Sequence, residues 1–268
     1  TAEFTVITLS GSKVTVQGEG VEVSGTIVTI TSAGGYQVSG SLAEGQIIVE
    51  ASDEDLVHLL FNDVEIYSST DVPVLVQNAD KTVITLAAGT ENVVTDDRTK
   101  LLEDDDEPNA AIFSNDDLTI NGSGSLIVNG NAAHGIASDD DLKIVSGGIT
   151  INASKDGIQG RDSIAVMDGS VMIEAGSDGL QSDNDEDAGE GNIFIEGGVF
   201  KITSEHDGIQ AVNILAIRNG KFDIISGGGR AEIDSGIMTQ WGDWDRQEAA
   251  SDSDISAKGL KTGAQLYI

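Results

Sequence analysis

The fold is decided by residues 134–225, where HGIASDDDLKIVSGGITINASK (134–155), DGIQGRDSIAVMDGSVMIEAGS (156–177), DGLQSDNDEDAGEGNIFIEGGVFKITSEH (178–206) and DGIQAVNILAIRNGKFDII (207–225) align one beneath another. Each stretch opens on a turn signature: His134-Gly135-Ile136, Asp156-Gly157-Ile158, Asp178-Gly179-Leu180 and Asp207-Gly208-Ile209. The first two steps are 22 residues long and the third is 29. An internal period of about twenty to fifty residues marks a solenoid, whose repeats cannot bury their own apolar faces and must stack. Within each repeat two apolar-alternating segments flank a glycine turn. Leu142 and Ile144 lead through Gly147-Gly148 to Ile149 and Ile151; Ile164 and Val166 lead through Asp168-Gly169 to Val171 and Ile173. Ile193 and Ile195 lead to Phe200 and Ile202, and Leu215 and Ile217 lead to Phe222 and Ile224. Period-two alternation turns one face of each strand inward. These features predict an all-β chain folded as a right-handed parallel β-helix. A leucine-rich repeat of similar length is disfavoured because its Leu and Asn pattern is missing.

Outward from this core the pattern weakens. Ala111-Ile112, Leu118, Ile120, Gly124, Leu126 and Val128 form a matching repeat, and Leu59, Phe61, Val64, Ile66, Val74, Val76, Val83, Ile84 and Leu86 read as two degenerate ones. Residues 1–50 are β-rich with little periodicity and read as an N-terminal cap over the open end of the stack. The reading is therefore one domain over 1–268: a cap and first repeats (1–50), regular repeats (51–226), a long loop insertion (227–250) and a last repeat (251–268). Lys258-Gly259-Leu260 restarts the signature, so this last repeat either closes the stack or belongs to a longer array.

Composition narrows the partners. Lys and Arg number 14 against 46 Asp and Glu, a formal charge of −32, which argues against nucleic acid and anionic membranes and for cations. Glycine at 33 with only two prolines suits many tight turns, and the absence of cysteine excludes disulfides and thiolate metal sites. No run approaches the roughly 18 apolar residues of a membrane span, so no membrane insertion is expected. A monomer is expected.

The period also places oxygen ligands. Residues that recur once per repeat line up at the strand spacing of about 4.8 Å, which brings Asp156, Asp178 and Asp207 into one column. Their charges repel unless a cation or a proton intervenes. The structural alternative is that each accepts hydrogen bonds from amides of its own turn, with glycine adjacent for a left-handed or extended backbone. Three acidic runs add further oxygens: Asp104, Asp105, Asp106 and Glu107 with Asn109 beyond; Asp139 within Ser138-Asp139-Asp140-Asp141; and Asp183, Asn184, Asp185, Glu186 and Asp187. The last run fills the seven residues that lengthen one repeat from 22 to 29. Each run also reads as a solvated acidic loop. Calcium takes six to eight oxygen ligands and is the cofactor these residues suit; no EF-hand loop or glycine-rich nonapeptide is present.

Glu107-Pro108-Asn109-Ala110-Ala111, Asp117 through Gly124, His134-Gly135-Ile136, Asp156 through Ser163, Asp178 through Asp187 and Lys258-Gly259-Leu260-Lys261 resemble the bacterial parallel β-helix carbohydrate-binding domains, which include clostridial cellulose- and pectin-binding proteins. The resemblance covers most of the chain. It implies an extracellular, cell-surface protein with bound calcium that binds plant cell-wall polysaccharide, pectic acid and cellulose among them. That family is similar in fold to the family nine pectate lyases, and Asp156 and Asp178 resemble the stacked aspartates that hold calcium there. This chain departs at Gln181, where the lyases carry another aspartate, and it has no clear counterpart of their lysine base.

A calcium-dependent lyase needs a positioned base. A guanidinium is a poor base by its chemistry, so pairing with an acid is the simpler role for Arg161; Lys155 and Lys201 occupy ordinary surface positions. No catalytic residue is assigned. Binding is favoured over elimination, with Arg161, Lys155 and Gln181 beside the column as substrate contacts. Aromatic residues are only 4% of the chain, so Trp241 and Trp244 are the one close pair able to stack on sugar rings, or alternatively to cap the end of the stack. A calcium-stiffened surface spacer or adhesin is the third reading.

Overall fold

The computed structural model describes residues 4–99, 108–227 and 257–268. Among them there is no helix, and the strands form two sheets of ten and seventeen. The chain visits three parallel ladders in a fixed order. The first receives Val74–Asn78, Ala110–Ser114, His134–Ser138, Ile158–Gly160, Leu180–Ser182, Ile209–Ala211 and Leu260–Thr262. The second receives Lys81–Leu86, Asp117–Gly122, Asp141–Ile144, Ser163–Val166, Asn192–Ile195, Ile214–Ile217 and Gln265–Tyr267. The third receives Glu91–Asp96, Ser125–Gly130, Gly148–Ala153, Ser170–Ala175, Val199–Ser204 and Lys221–Ile225.

Register is kept through every irregular step. Ile136 pairs with Ile158, Ile158 with Leu180, Leu180 with Ile209, and Ile209 with Leu260. The added residues after Ser182 and after Ile225 therefore leave the ladders undisturbed. Inward residues stack like on like: Ile149, Val171 and Phe200 in one column and Ile151, Ile173 and Ile202 in the next, all buried. Phe200 and Phe222 extend this stacking with parallel rings 4.8 Å apart. Burying each such side chain is worth about 1.5–3 kcal/mol, which is the main stabilisation of the stack.

The glycine of the turn signature has a different cause from the one expected. Gly135, Gly157, Gly179 and Gly208 are absent from the positive-φ positions. A Cβ on any of them would come within 3 Å of an isoleucine methyl from the third ladder, Ile151, Ile173, Ile202 or Ile224 in turn, and of the backbone oxygen of the next signature glycine. Close stacking excludes the side chain; no left-handed backbone is involved. Positive φ is instead found at the corner between second and third ladders, with values of 120°, 122°, 115° and 141° at Gly147, Gly169, Gly198 and Gly220.

Upstream that corner is absent. Gly34–Leu42 and Leu56–Ser68 run through both ladders as single long strands: Leu56–Phe61 pairs with Lys81–Leu86, and Glu65–Ser68 with Val93–Asp96. The bend within each is made by Gly40, at φ 90° beside a register shift from Val38, and by Asp63, at φ 56°. Here the degenerate repeats of the sequence reading differ from the regular ones. The sheets end on two antiparallel hairpins, Thr5–Gly11 with Lys13–Gln17 and Val21–Ser24 with Ile27–Ile30.

Candidate functional site

The column of signature aspartates is a chain of caps. Asp156 Oδ1 accepts the N–H of Asp178, Asp178 Oδ1 that of Asp207, and Asp207 Oδ1 that of Lys258, each at 2.7 Å. His134 heads the column, its Nδ1 lying 3.2 Å from the Asp156 nitrogen and 3.1 Å from Asp156 Oδ2. The amides served belong to the next repeat, not to the same turn as expected. All three carboxylates are buried, where such charge-assisted bonds are strong. Their second oxygens meet unlike partners: Asp178 Oδ2 accepts from Gln181 Nε2 at 3.0 Å and Asp207 Oδ2 from Lys261 Nζ at 2.8 Å.

This difference sets the electrostatics. Burial opposes ionisation of Asp156, but the hydrogen bond and charge of His134 and the Asp178 amide outweigh it and hold the carboxyl below its usual range. Among the described residues, Asp178 has no such cation against its second oxygen. Burial first, with the charges of Asp156 and Asp207 behind it, pushes Asp178 up to about 6 against the opposing Asp207 amide. The middle of the column thus carries negative charge that the protein leaves poorly neutralised.

Beside the column, on the outer face of the first ladder, lies a groove of about 960 Å³ lined by Leu75, Gln77, Pro108, Asn109, Phe113, Asn115, Asp139, Gln159, Arg161 and residues 183–186. Its polar residues succeed one another along the ladder. Asn115 N–H donates to Val76 O, Asp139 N–H to Ser114 O and Arg161 N–H to Ser138 O, so Gln77, Asn115, Asp139 and Arg161 stand one strand apart. Arg161 Nη2 meets Glu186 Oε2 at 2.6 Å, with both side chains well exposed, a pair worth at most about 1 kcal/mol. Partial desolvation raises Asp139 against the pull of Arg161. Burial raises Asp183, opposed by its bond from Gln159 and assisted by Asp156.

Seven of the twelve predicted site residues that the structure describes converge here. Asn109, Asp139, Arg161, Asp183, Asn184, Asp185 and Glu186 line the groove, and Gln181 bonds the adjacent column. Asn184 organises the inserted loop: its Oδ1 accepts the N–H groups of Glu186 and Asp187, and its Nδ2 reaches Asp162 Oδ1 and Asp187 Oδ2. Asn109 Oδ1 is buried with no hydrogen-bond partner among the described residues. Lys155 stands exposed at the corner just before Asp156. Asp104, Asp105, Asp106, Glu107, Trp241 and Trp244 lie outside the described residues. Among the described residues, no three acidic or histidine side chains converge as a metal-binding group.

Two features escaped the sequence reading. Val72, Ala110, Phe113 and Ala137, with Leu75, form an apolar cluster separate from the main core; Phe113 falls at an outward strand position and gave no periodic signal. The second was visible: three signatures continue into glutamine, Asp156 to Gln159, Asp178 to Gln181 and Asp207 to Gln210. Only Gln181 was singled out.

Comparison with known proteins follows this geometry. The chain is similar to a carbohydrate-binding domain-containing protein of Acetivibrio thermocellus, 42% identical over 137 residues that make up 50% of this chain and 48% of that one. The aligned region spans about half the length of that relative. Its structure is similar to that of a polysaccharide lyase-like protein from C. thermocellum, determined as a gadolinium derivative, with a TM-score of 0.85 and 32% identity over 99% of this chain and 96% of the other. The family of carbohydrate-binding domain-containing proteins matches residues 24–268. The chain belongs to that family.

Proposed function

We propose that the three ladders are the faces of a right-handed parallel β-helix, and that the groove binds plant cell-wall polysaccharide without cleaving it. Parallel crossovers in one sheet are right-handed in about 98% of cases, which supports the hand. The preferred ligand is acidic pectin or polygalacturonate, with cellulose second, and binding depends on calcium. One observation carries the reading: a groove of carboxylates and carboxamides with a single arginine, on the outer face of a carbohydrate-binding family member. A polymer of this size is met outside the cell, so the protein acts there as a monomer at the cell surface.

Calcium fits the donor chemistry beside the groove. Asp156, Asp178 and Asp183 offer hard oxygens only, and burial leaves Asp178 and Asp183 with charge that a cation would relieve. Held by Asp156, Asp178 and Asp183, such an ion would supply the positive charge toward uronate carboxylates that a chain of charge −32 lacks.

A calcium-dependent pectate lyase is the second reading, favoured by the polysaccharide lyase-like relative. It needs a base, and Arg161, the one basic side chain among the groove-lining residues, is paired with Glu186. Affinity electrophoresis on polygalacturonate decides. Retardation with calcium and none with chelator supports binding; unsaturated uronide product supports the lyase; neither result leaves a surface spacer.

A further inference from the structure

The outer face of the first ladder carries a column that the groove covers only in part. Gln159 pairs in register with Gln181, Gln181 with Gln210, and Gln210 with Lys261. Successive members stand one strand spacing apart, about 4.8 Å. Stacked glutamines at this spacing ordinarily form a ladder that bonds along the stack. These do not. Gln159 Nε2 donates sideways to Asp183 Oδ2 at 3.0 Å, Gln181 Nε2 donates to Asp178 Oδ2 at 3.0 Å, and Gln210 Oε1 accepts from Lys261 Nζ. Each carboxamide is held at one end and left free at the other. Among the described residues, Oε1 of Gln159, Oε1 of Gln181 and Nε2 of Gln210 have no hydrogen-bond partner, and all three side chains are half-buried.

We propose that these three glutamines are consecutive sugar subsites: a linear polysaccharide lies along the stacking direction, across the strands, and presents one sugar to each. This rests on the binding function proposed above and adds to it a direction, a number of subsites and the residues that make them. A pyranose ring with its linkage oxygen advances a polymer by a distance comparable to the separation of adjacent strands, so ring and repeat stay in step over three positions. Sugar hydroxyls both donate and accept, which suits two free carbonyls followed by a free amide. The acids and Lys261 that anchor the carboxamides fix their orientation before the ligand arrives, which lowers the ordering cost of binding. Lys261, at one end of the row, gives it polarity.

The test is titration calorimetry of the whole chain, in calcium, with galacturonate and cellulose oligomers of two to five units. Affinity is expected to rise steeply up to three units and little beyond. Removing one neutral hydrogen bond weakens binding by about 2–10-fold, so Q159A, Q181A and Q210A should each lose about that much on the trimer, and the triple variant about the product of the three, at least about 8-fold. Where alanine lowers the melting temperature into the assay range, the near-isosteric Gln→Met variants replace it. A triple variant that melts and binds like the wild type overturns the row of subsites and leaves the binding function standing. Affinity that does not depend on length also overturns it. A wild-type chain that binds no polymer or oligomer overturns both.

Discussion

Asp156 Oδ1 holds the backbone N–H of Asp178, one repeat further on, at 2.7 Å. Because both groups are buried, Asp156→Ala leaves a donor without water or partner, at a cost of about 1–3 kcal/mol. Asp156→Asn keeps an acceptor there and should cost less. Chemical unfolding of the two variants checks this, and equal stabilities would refute the cap.

Gly157→Ala should destabilise by about 1–3 kcal/mol or more, since its Cβ would strike Ile173 and the Gly179 carbonyl oxygen. Gly259 occupies the same place in the last signature, but a Cβ added there would meet nothing within 4 Å among the described residues. Gly259→Ala should fall within about 0.5 kcal/mol of the wild type. Thermal melts of the pair separate a packing cause from a backbone one.

The carboxyl of Asp178 lies at about 6 in the folded chain against an ordinary 3.8. A group raised in this way holds its proton longer when folded, so its contribution is favourable below pH 4, declines as pH rises through 4 to 6, and is flat above. The full difference is about 3 kcal/mol. Asp156, lowered by His134, acts in the opposite sense and loses its contribution as pH falls below the ordinary range. Asp178→Asn should flatten the decline between pH 4 and 6 and raise stability at pH 7, measured as melting temperature without added metal.

Calcium should raise the melting temperature at pH 7, and a chelator should reverse the effect. A ligand at a hundred times its dissociation constant adds about 2.7 kcal/mol. Asp178→Asn and Asp183→Asn should each reduce the gain. An unchanged melt with calcium, together with no metal found on elemental analysis, would remove the proposed ion.

Arg161→Ala should change stability by less than about 1 kcal/mol, because its partner Glu186 is exposed. Its effect on polygalacturonate binding should be larger, as a cation is lost from the groove. Gel retardation and melts on one sample report both.

The ladders were legible because inward residues repeat with the chain, and Leu142, Ile164, Ile193 and Leu215 could be aligned from their spacing alone. The function of Gly157 was not, since a clash with Ile173 belongs to a neighbouring strand and leaves no local mark. The aspartate column was found as a place but not as a device: spacing brought Asp156 and Asp178 together, while the bond from oxygen to the next amide depends on an orientation no pattern encodes. The acidic run at 183–187 was read as a ligand supply, and one member, Asn184, proves to be the fastener of its own loop. Gln159 and Gln210 carry neither charge nor an apolar period that would mark them, whereas Gln181 stands out by its departure from the lyase pattern.

The pairing of Leu180 with Ile209 and of Ile209 with Leu260 survives steps of 29 and 51 residues. Doubling the length of a flexible loop costs only about 0.6 kcal/mol in closure entropy. The corners after Ser182 and after Ile225 are therefore ports at which new segments can be grafted while the scaffold stays intact, by evolution or by an engineer who wants a different glycan recognised on the same rail.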